Sequence, residues 1–224
     1  GNFKKYYEFR QDTIYRINTA CKIVSEKFNL NNKQKLECLD IGCNSGNLTN
    51  GIYEKLRNLI DPNVDIRITG IDIDSTLVEK ANAGKPANYE KFIEYQCLDV
   101  MNIPDGYAIK NQRFDVVFCF SVTMYPHLLY GDEGLDKFIR NLTDRSDFIV
   151  IEPQIERKCY HEQKRRMKRQ FNMTEIYRDD KIDWSRNPLT KIEGTFESCG
   201  YKLIKTYESH GSTWNRKVFL FVKQ

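Results

Sequence analysis

Residues 36–48 of this chain read L-E-C-L-D-I-G-C-N-S-G-N-L, and the rest of the sequence is arranged around them. The first six residues alternate in apolar character and end in Asp40 and Ile41, which predicts a short buried strand. Gly42 and Gly46 follow, and apolar residues at helical spacing then indicate a helix. Glycine lets a ligand approach the backbone closely, and the first turn of a helix presents free N–H groups. The segment therefore predicts a strand, a turn and a helix that hold a nucleotide-like ligand.

The spacing of the glycines narrows the class of ligand. The dinucleotide fingerprint G-x-G-x-x-G is absent, because Asn44 and Asn47 stand where glycines are required. The phosphate-binding pattern G-x-x-x-x-G-K-[ST] is absent as well. The remaining pattern, D-I-G-C-N-S-G, resembles motif I of the class I S-adenosylmethionine-dependent methyltransferases. On this segment alone, an ordinary strand–helix unit with a glycine turn is the alternative.

Two later strands end in acidic residues, which favours the methyltransferase interpretation. The strand predicted at 66–71 is followed by Asp72, and a carboxylate there can accept hydrogen bonds from both hydroxyls of a ribose. Asp72 is alternatively a helix cap, although Asp74 or Ser75 suits that role better. The strand predicted at 92–98 is followed by Asp99, which is placed to meet the exocyclic amine of an adenine.

Strands and helices alternate along the chain, which predicts a doubly wound sheet. Helices are predicted at 12–28, 75–83 and 157–169, a loop at 122–134 precedes another helix, and further strands are predicted at 114–121, 148–153, 201–207 and 217–222. The fold class is therefore α/β, with the Rossmann-like fold of class I methyltransferases. We expect one domain over 1–224, with a seven-stranded, mostly parallel sheet that carries helices on both faces.

Composition limits the kind of protein and its surroundings. No run approaches the ~18 apolar residues of a membrane span, so no membrane association is expected. The seven cysteines form no C-x-x-C pair, which favours a reducing compartment and argues against a zinc site. We expect a cytoplasmic protein, with the nucleus as a second location, that is monomeric and has no metal site.

Positive charge is concentrated in residues 157–169, R-K-C-Y-H-E-Q-K-R-R-M-K-R, where seven cations accompany one glutamate. A run of charge is commonly a solvated helix face. It is also typical of a surface that follows the phosphates of a nucleic acid. The candidate RNA contacts on this run are Lys164, Arg165, Arg166 and Lys168.

The chain resembles the Bicoid-interacting-protein-3 domain family of RNA 5′-phosphate methyltransferases. The resemblance rests on G-N-F-K-K-Y-Y-E-F-R at 1–10, L-D-I-G-C-N-S-G-N-L-T at 39–49, F-C-F-S-V-T-M-Y-P-H-L at 118–128, Y-G-D-E-G-L at 130–135, I-E-P-Q at 151–154 and S-T-W-N-R-K-V-F-L-F at 212–221. It implies an enzyme that uses S-adenosyl-L-methionine, releases S-adenosyl-L-homocysteine and acts on RNA with a 5′-phosphate end.

One branch of this family methylates the γ-phosphate of a 5′-triphosphate small nuclear RNA. The other branch methylates the 5′-monophosphate of a histidine transfer RNA or of precursor microRNAs. The triphosphate branch carries lysine where this chain has Met124, so the chain is closer to the monophosphate branch. Tyr125 and Pro126 replace the usual tryptophan and aliphatic residue, and E-P-Q-I-E replaces E-P-Q-P-W.

The resemblance also implies roles for individual residues. Residues 1–11 are expected to form a lid over substrate and cofactor. The implied cofactor contacts are Tyr7, Arg16, Gly42, Asn44, Asp72, Ile73, Asp99, Val100 and Phe120. The implied catalytic and phosphate contacts are Tyr6, Arg10, His127 and Arg216, and Gln154 is an implied RNA contact. We expect Arg16 to pair with the methionyl carboxylate, as guanidinium groups do with carboxylates.

The reaction itself makes modest chemical demands. A phosphate monoester has a second pKa near ~6, so the attacking oxygen is already ionised at neutral pH and no strong general base is needed. Three alternatives stay open: capping of a γ-phosphate, methylation of a small molecule or protein, and an RNA-binding module without catalysis. For His127, a structural hydrogen-bonding role is the alternative to phosphate contact.

Overall fold

The computed structural model describes residues 13–30, 33–171, 177–208 and 216–224. The helices are α1 (Thr13–Lys27), α2 (Asn47–Leu59), α3 (Ser75–Ala83), α4 (Met124–Thr143), α5 (Arg157–Phe171) and α6 (Pro188–Ser198). The strands are β1 (Lys35–Ile41), β2 (Asp65–Asp72), β3 (Ile93–Cys97), β4 (Val116–Phe120), β5 (Phe148–Glu152), β6 (Tyr201–Tyr207) and β7 (Val218–Lys223). None of the helices in these ranges combines the length and apolar character that a membrane span requires.

The seven strands form one sheet in the order β3-β2-β1-β4-β5-β7-β6. Strands β1 to β5 are parallel, β7 runs antiparallel to β5, and β6 runs antiparallel to β7. This confirms the predicted fold class. The strand order reverses between β1 and β4, and ligands of such sheets bind outside the carboxyl ends of the strands at this point. The glycine turn after β1 lies there.

Apolar side chains cover both faces of the sheet. Helices α1, α2 and α3 pack on one face, where Phe118 of β4 is buried. Helices α4 and α6 pack on the other face, which contains the neighbouring Val117. A central parallel strand is expected to be apolar on both sides for this reason. A third, smaller apolar cluster joins α5 to the first turns of α4 through Tyr160 and Leu128. It places α5 beside the carboxyl edge of the sheet.

The prediction of a loop at 122–134 is wrong, because α4 already begins at Met124. Pro126 falls in the first turn of the helix, where a missing N–H does no harm. Gly131 interrupts α4 with φ 72° and ψ −161°, and a Cβ at this position would lie 2.5 Å from the Cβ of Lys181. Burial of Met124 and Leu128 in the cluster with α5 stabilises these early turns, which the sequence pattern alone did not indicate.

Candidate active site

The turn between β1 and α2 requires glycine at two positions. Gly42 and Gly46 have φ of 78° and 81°, a region that side chains disfavour. A Cβ on Gly46 would lie 2.6 Å from the hydroxyl oxygen of Tyr95, and one on Gly42 would lie 2.5 Å from Cγ2 of Val122. Asn44, between them, also has a positive φ of 53°. The turn therefore exposes backbone to a ligand where larger residues would not fit.

Asp72, at the end of β2, is tied into this turn. Its Oδ2 accepts a hydrogen bond from the backbone N–H of Asn44 at 2.9 Å, and its Oδ1 accepts one from the N–H of Asp74 at 3.0 Å. Burial raises the pKa of Asp72, against the effect of these two bonds. Each carboxylate oxygen can accept a further hydrogen bond, as from a ribose hydroxyl. Asp74 caps α3 by accepting from Thr76 and Leu77, which confirms it as the better cap candidate.

An open cavity lies over the carboxyl ends of β1, β2 and β4. Among the predicted cofactor residues, those that line it are Arg16, Gly42, Asn44, Asp72, Ile73, Asp99, Val100 and Phe120. The structure thus brings together every predicted cofactor residue that it describes, and Tyr7 lies outside the described residues. Their contact with a cofactor stays a prediction.

The roof of this cavity comes from a part of the sequence that we had predicted as loop. Tyr125, Pro126, Leu129 and Tyr130, on the first two turns of α4, line the cavity beside the predicted residues. Their spacing along one helical face is the signal in the sequence from which this wall could have been predicted. Half of the Tyr130 side chain is exposed, with 51% of its surface accessible. The roof therefore offers aromatic surface to a ligand.

A buried polar cluster adjoins the cavity through Arg16 and Ser121, which line it. Arg16 donates from Nε to Oε2 of Glu152 at 2.8 Å, and its Nη2 donates to Ser121 Oγ at 2.8 Å and to Oε1 of Glu152. The Ser121 hydroxyl donates to Glu152 Oε1 at 2.7 Å and accepts from Arg216 Nη1 at 2.9 Å. Ser121 thereby uses its one donor and two acceptor positions. Its φ of 59° is unusual for a non-glycine residue, and such conformations concentrate at functional sites.

This cluster modifies the role expected for Arg16. Its guanidinium lines the cavity but is only 2% exposed and is paired with Glu152, whose side chain is 3% exposed. A buried carboxylate is therefore already its partner within the protein. Sequence reasoning missed Glu152 and Ser121 as parts of the site. The available signal was an acidic residue at the end of an otherwise apolar strand.

Gln154 lies within the framework of the site and is only 3% exposed. Its Nε2 donates to the carbonyl of Ser121 at 2.6 Å, and its backbone N–H donates to Thr123 Oγ1 at 3.3 Å. The side chain thus holds the end of β4 in place. Contact of Gln154 with RNA stays a prediction that this placement does not favour.

Arg216 and His127 differ in their relation to the cavity. Arg216 is 7% exposed and reaches the polar cluster, with Nη2 also 3.3 Å from the Cys159 sulfur. His127 is 1% exposed, is absent from the cavity wall, and has Tyr160 and Asp132 at its two ring nitrogens. Neither side chain lines the cavity: Arg216 adjoins it through its hydrogen bond to Ser121, whereas His127 is bonded to Tyr160 and Asp132. Tyr6 and Arg10, the other two predicted catalytic residues, lie outside the described residues.

Helix α5 turns a cationic face to the solvent. Among the predicted RNA contacts, Arg165 and Lys168 are exposed, whereas Lys164 and Arg166 are half-buried at the sides of the helix. The exposed face also carries Arg157, Lys158, His161 and Arg169. The opposite face is buried and contains Cys159, Tyr160 and Gln163. Within the described ranges, no group of three His, Cys, Asp or Glu residues is arranged to hold a metal ion.

Comparison with known proteins identifies relatives of this chain. The family model for Bicoid-interacting protein 3 (Bin3) matches residues 114–223, and a methyltransferase-domain model matches residues 39–147. The chain is 32% identical to the pre-miRNA 5′-monophosphate methyltransferase of Xenopus laevis, over 99% of this chain and 91% of that protein. It is also 32% identical to the RNA 5′-monophosphate methyltransferase of Rattus norvegicus, over 82% of this chain and 67% of that protein.

A solved structure supports the fold. The N-methyltransferase NodS from Bradyrhizobium japonicum WM9, in complex with S-adenosyl-L-homocysteine, has a TM-score of 0.62 at 14% identity, and the match covers 100% of this chain and 93% of that one. That likeness shows the fold alone. The match to the amphibian relative over nearly the whole chain, with the family model over residues 114–223, establishes that this chain belongs to the Bicoid-interacting protein 3 (Bin3) family of methyltransferases.

Proposed function

We propose that this protein is an RNA 5′-monophosphate methyltransferase. It transfers a methyl group from S-adenosyl-L-methionine to an oxygen of the 5′-terminal phosphate of a small structured RNA, of the histidine transfer RNA or precursor microRNA type. The observation that carries the proposal is the cavity at the switch point of the sheet, where eight predicted cofactor residues meet beside the buried guanidinium of Arg216. Family membership and the names of the two relatives support the same activity.

The cavity suits S-adenosyl-L-methionine in shape and in chemistry. Gly42 and Asn44 bring the backbone of the turn to the cavity wall, so the methionine part can lie against it. Asp72 supplies carboxylate oxygens for the ribose, and Asp99 lies on the wall where the adenine amine is expected. Apolar side chains, including Phe120, complete the walls. When bound, the cofactor supplies an electrophilic sulfonium methyl group.

The phosphate end is served by positioned donors. Arg216 donates to Ser121, which lines the cavity, so its guanidinium is held directly behind the cavity wall. Guanidinium groups match the oxygens of a phosphate and bind them with charge-assisted hydrogen bonds. A phosphate monoester is mostly dianionic at neutral pH, so the protein has to place its oxygen ~3 Å from the methyl carbon and needs no strong base. Tyr6 and Arg10 remain the further predicted donors.

The monophosphate end is favoured by the surroundings of Met124. This residue is 4% exposed and packs with Leu128 and Tyr160 in the apolar cluster below α5. A thioether there adds no positive charge for the extra phosphates of a triphosphate, whereas the lysine of the triphosphate branch does. Methylation of a γ-phosphate is therefore the second candidate.

The cationic face of α5 is proposed to follow the backbone of the RNA. Phosphate contacts dominate affinity for nucleic acids, and duplex RNA is recognised largely by its shape and backbone. Replacing Arg165 and Lys168 with glutamate should weaken binding of a stem-loop RNA and reduce its dependence on salt. The matched control replaces Lys80 and Lys91, two exposed cations towards the β3 edge of the sheet, in the same way. An equal loss of RNA affinity in the two double variants would contradict a specific role for α5.

We also propose that the protein acts as a monomer in the cytoplasm, with the nucleus as a second location. The proposed site is built from one chain. All seven cysteines are free thiols, which suits a reducing compartment.

Methyl transfer from labelled S-adenosyl-L-methionine to one hairpin RNA tests the function. The hairpin is prepared with a 5′-monophosphate, a 5′-triphosphate or a 5′-hydroxyl. We expect label on the monophosphate alone. Label on the triphosphate would instead support γ-phosphate methylation, and a protein that binds the cofactor but labels none of the three would contradict the proposal.

A further inference from the structure

A buried chain of three side chains joins α4 to α5. The ring of His127 has its Nδ1 2.9 Å from the hydroxyl of Tyr160 and its Nε2 2.8 Å from Oδ1 of Asp132. His127 and Tyr160 are 1% and 2% exposed. Neither ring nitrogen of His127 has a hydrogen-bonding position left for a phosphate.

The partners fix where the proton lies on the ring. The carboxylate of Asp132 only accepts hydrogen bonds, so Nε2 carries the proton and donates. Nδ1 is then the acceptor, and the Tyr160 hydroxyl donates to it. Burial lowers the pKa of His127 and raises that of Tyr160, which keeps both groups neutral near pH 7. Lys191 also faces these side chains, with its Nζ 3.7 Å from Oδ2 of Asp132.

These three side chains connect α4, which lines the cavity, to α5, which carries the proposed RNA-binding face. His127 follows Tyr125 and Pro126 on α4, which line the cofactor cavity. Tyr160 lies on the buried side of α5, opposite the cationic face. Asp132 follows the break at Gly131 and also accepts from the backbone N–H of Asp183 at 3.3 Å.

The aromatic surroundings hold α5 in the same place. The ring of Trp184 meets Tyr160 edge-on with centroids 5.1 Å apart. The guanidinium of Arg157, at the start of α5, lies 5.3 Å from the centre of the Trp184 ring and donates to its carbonyl. Cys159, next to Tyr160, contacts Arg216 of the polar cluster. A shift of α5 would therefore displace its cationic face.

We propose that the Tyr160–His127–Asp132 chain positions the cationic face of α5 relative to the methyl-transfer cavity, and that His127 is a positioning residue for RNA and not a phosphate ligand. This inference rests on the proposed function of α5 as the RNA-binding surface. Loss of the Tyr160 hydroxyl would leave a buried imidazole acceptor without a donor, which favours rearrangement of the helix.

Tyr160→Phe tests the inference, with Tyr201→Phe as the matched control. Tyr201 is equally buried, but its hydroxyl donates to backbone carbonyls of Thr143 and Ser146, away from α5. Each variant is assayed on a 5′-monophosphate stem-loop RNA and on a 5′-phosphorylated trinucleotide, which is too short to reach along α5. For Tyr160→Phe we expect KM for the stem-loop to rise about threefold to thirtyfold, with kcat/KM for the trinucleotide and cofactor affinity unchanged. The control variant should leave the kinetic constants for both substrates unchanged.

Two results would overturn the inference. An equal loss on both substrates would mean that the chain serves the phosphate pocket itself, and no loss on either would mean that it positions nothing. Nitrogen NMR of the free protein adds a readout that does not depend on activity: the His127 ring should be neutral at pH 7, protonated on Nε2, and altered in Tyr160→Phe. If the wild-type protein methylates no RNA, the proposed function fails; unchanged stem-loop affinity in Tyr160→Phe would then overturn the positioning role as well.

Discussion

Removal of the Glu152 carboxylate should destabilise the protein severely. Glu152 accepts from Arg16 and Ser121, and its Oε1 lies 3.9 Å from Nη1 of Arg216. The side chains of Glu152, Arg16 and Arg216 are only 3%, 2% and 7% exposed, so water cannot replace the lost carboxylate. Breaking a buried ion pair from one side costs about 3–5 kcal/mol, because the other charge stays buried. Glu152→Ala should lose that amount, a large share of the ~5–15 kcal/mol that stabilises a domain.

Denaturation by urea measures this effect, with the slope checked so that the change reflects stability alone. Glu37→Ala is the control, since Glu37 and Lys35 form an exposed ion pair and such pairs contribute at most ~1 kcal/mol. The double variant Arg16→Met with Glu152→Leu removes the Arg16–Glu152 pair but leaves Arg216 buried, so it should recover only part of the loss. A Glu152→Ala variant within about 1 kcal/mol of the wild type would refute the claim that Glu152 neutralises a buried guanidinium.

Three further changes test the cavity and its surroundings. Gly46→Ala should lower stability by about 1–3 kcal/mol and weaken cofactor binding, because φ is positive and the new Cβ would meet Tyr95; unchanged calorimetric affinity would contradict this. Asp72→Ala should raise the Kd for S-adenosyl-L-methionine roughly tenfold to a hundredfold, since a hydrogen bond to a charged group contributes about 1.5–3 kcal/mol, and equal affinity in titration would exclude the ribose role. Burial raises the pKa of Asp40 from 3.8 to about 6. Between pH 3.8 and pH 6 the native state therefore binds more protons than the unfolded state, and the wild-type protein loses stability as the pH rises through this range. The Asp40→Asn variant should lack this decline and should be about 3 kcal/mol more stable than the wild type at pH 7. Urea denaturation at pH 4 and pH 7 measures both; a variant with the same loss of stability between the two pH values as the wild type would contradict the prediction.

The elements that local chemistry specifies were predictable. The turn after β1 is predictable because Gly42 and Gly46 mark positions where the backbone has a positive φ, which favours glycine. The strands around it were found because residues buried on a sheet follow apolar patterns. The acidic ends of β2 and β3 then located the cavity, since parallel strands bring their carboxyl ends to one edge.

The start of α4 was not predictable in the same way. Pro126 and Gly131 are common helix-breaking signals, and they lie only five residues apart in this segment. Packing of Met124 and Leu128 against α5 decides in favour of a helix. The sequence pattern records the preference of a segment, whereas its burial depends on a helix that begins some thirty residues later.

The sequence by itself determined the doubly wound sheet, the ligand turn and the acidic residues around the cofactor cavity, because each of these depends on neighbours within one strand, turn or helix. The tertiary structure alone decided how the charged groups are paired. Arg16 and Glu152 are 136 residues apart, and His127 meets a tyrosine 33 residues away on another helix. A buried charge or imidazole takes the partner that the fold brings within hydrogen-bonding distance, and no local pattern specifies which partner that is.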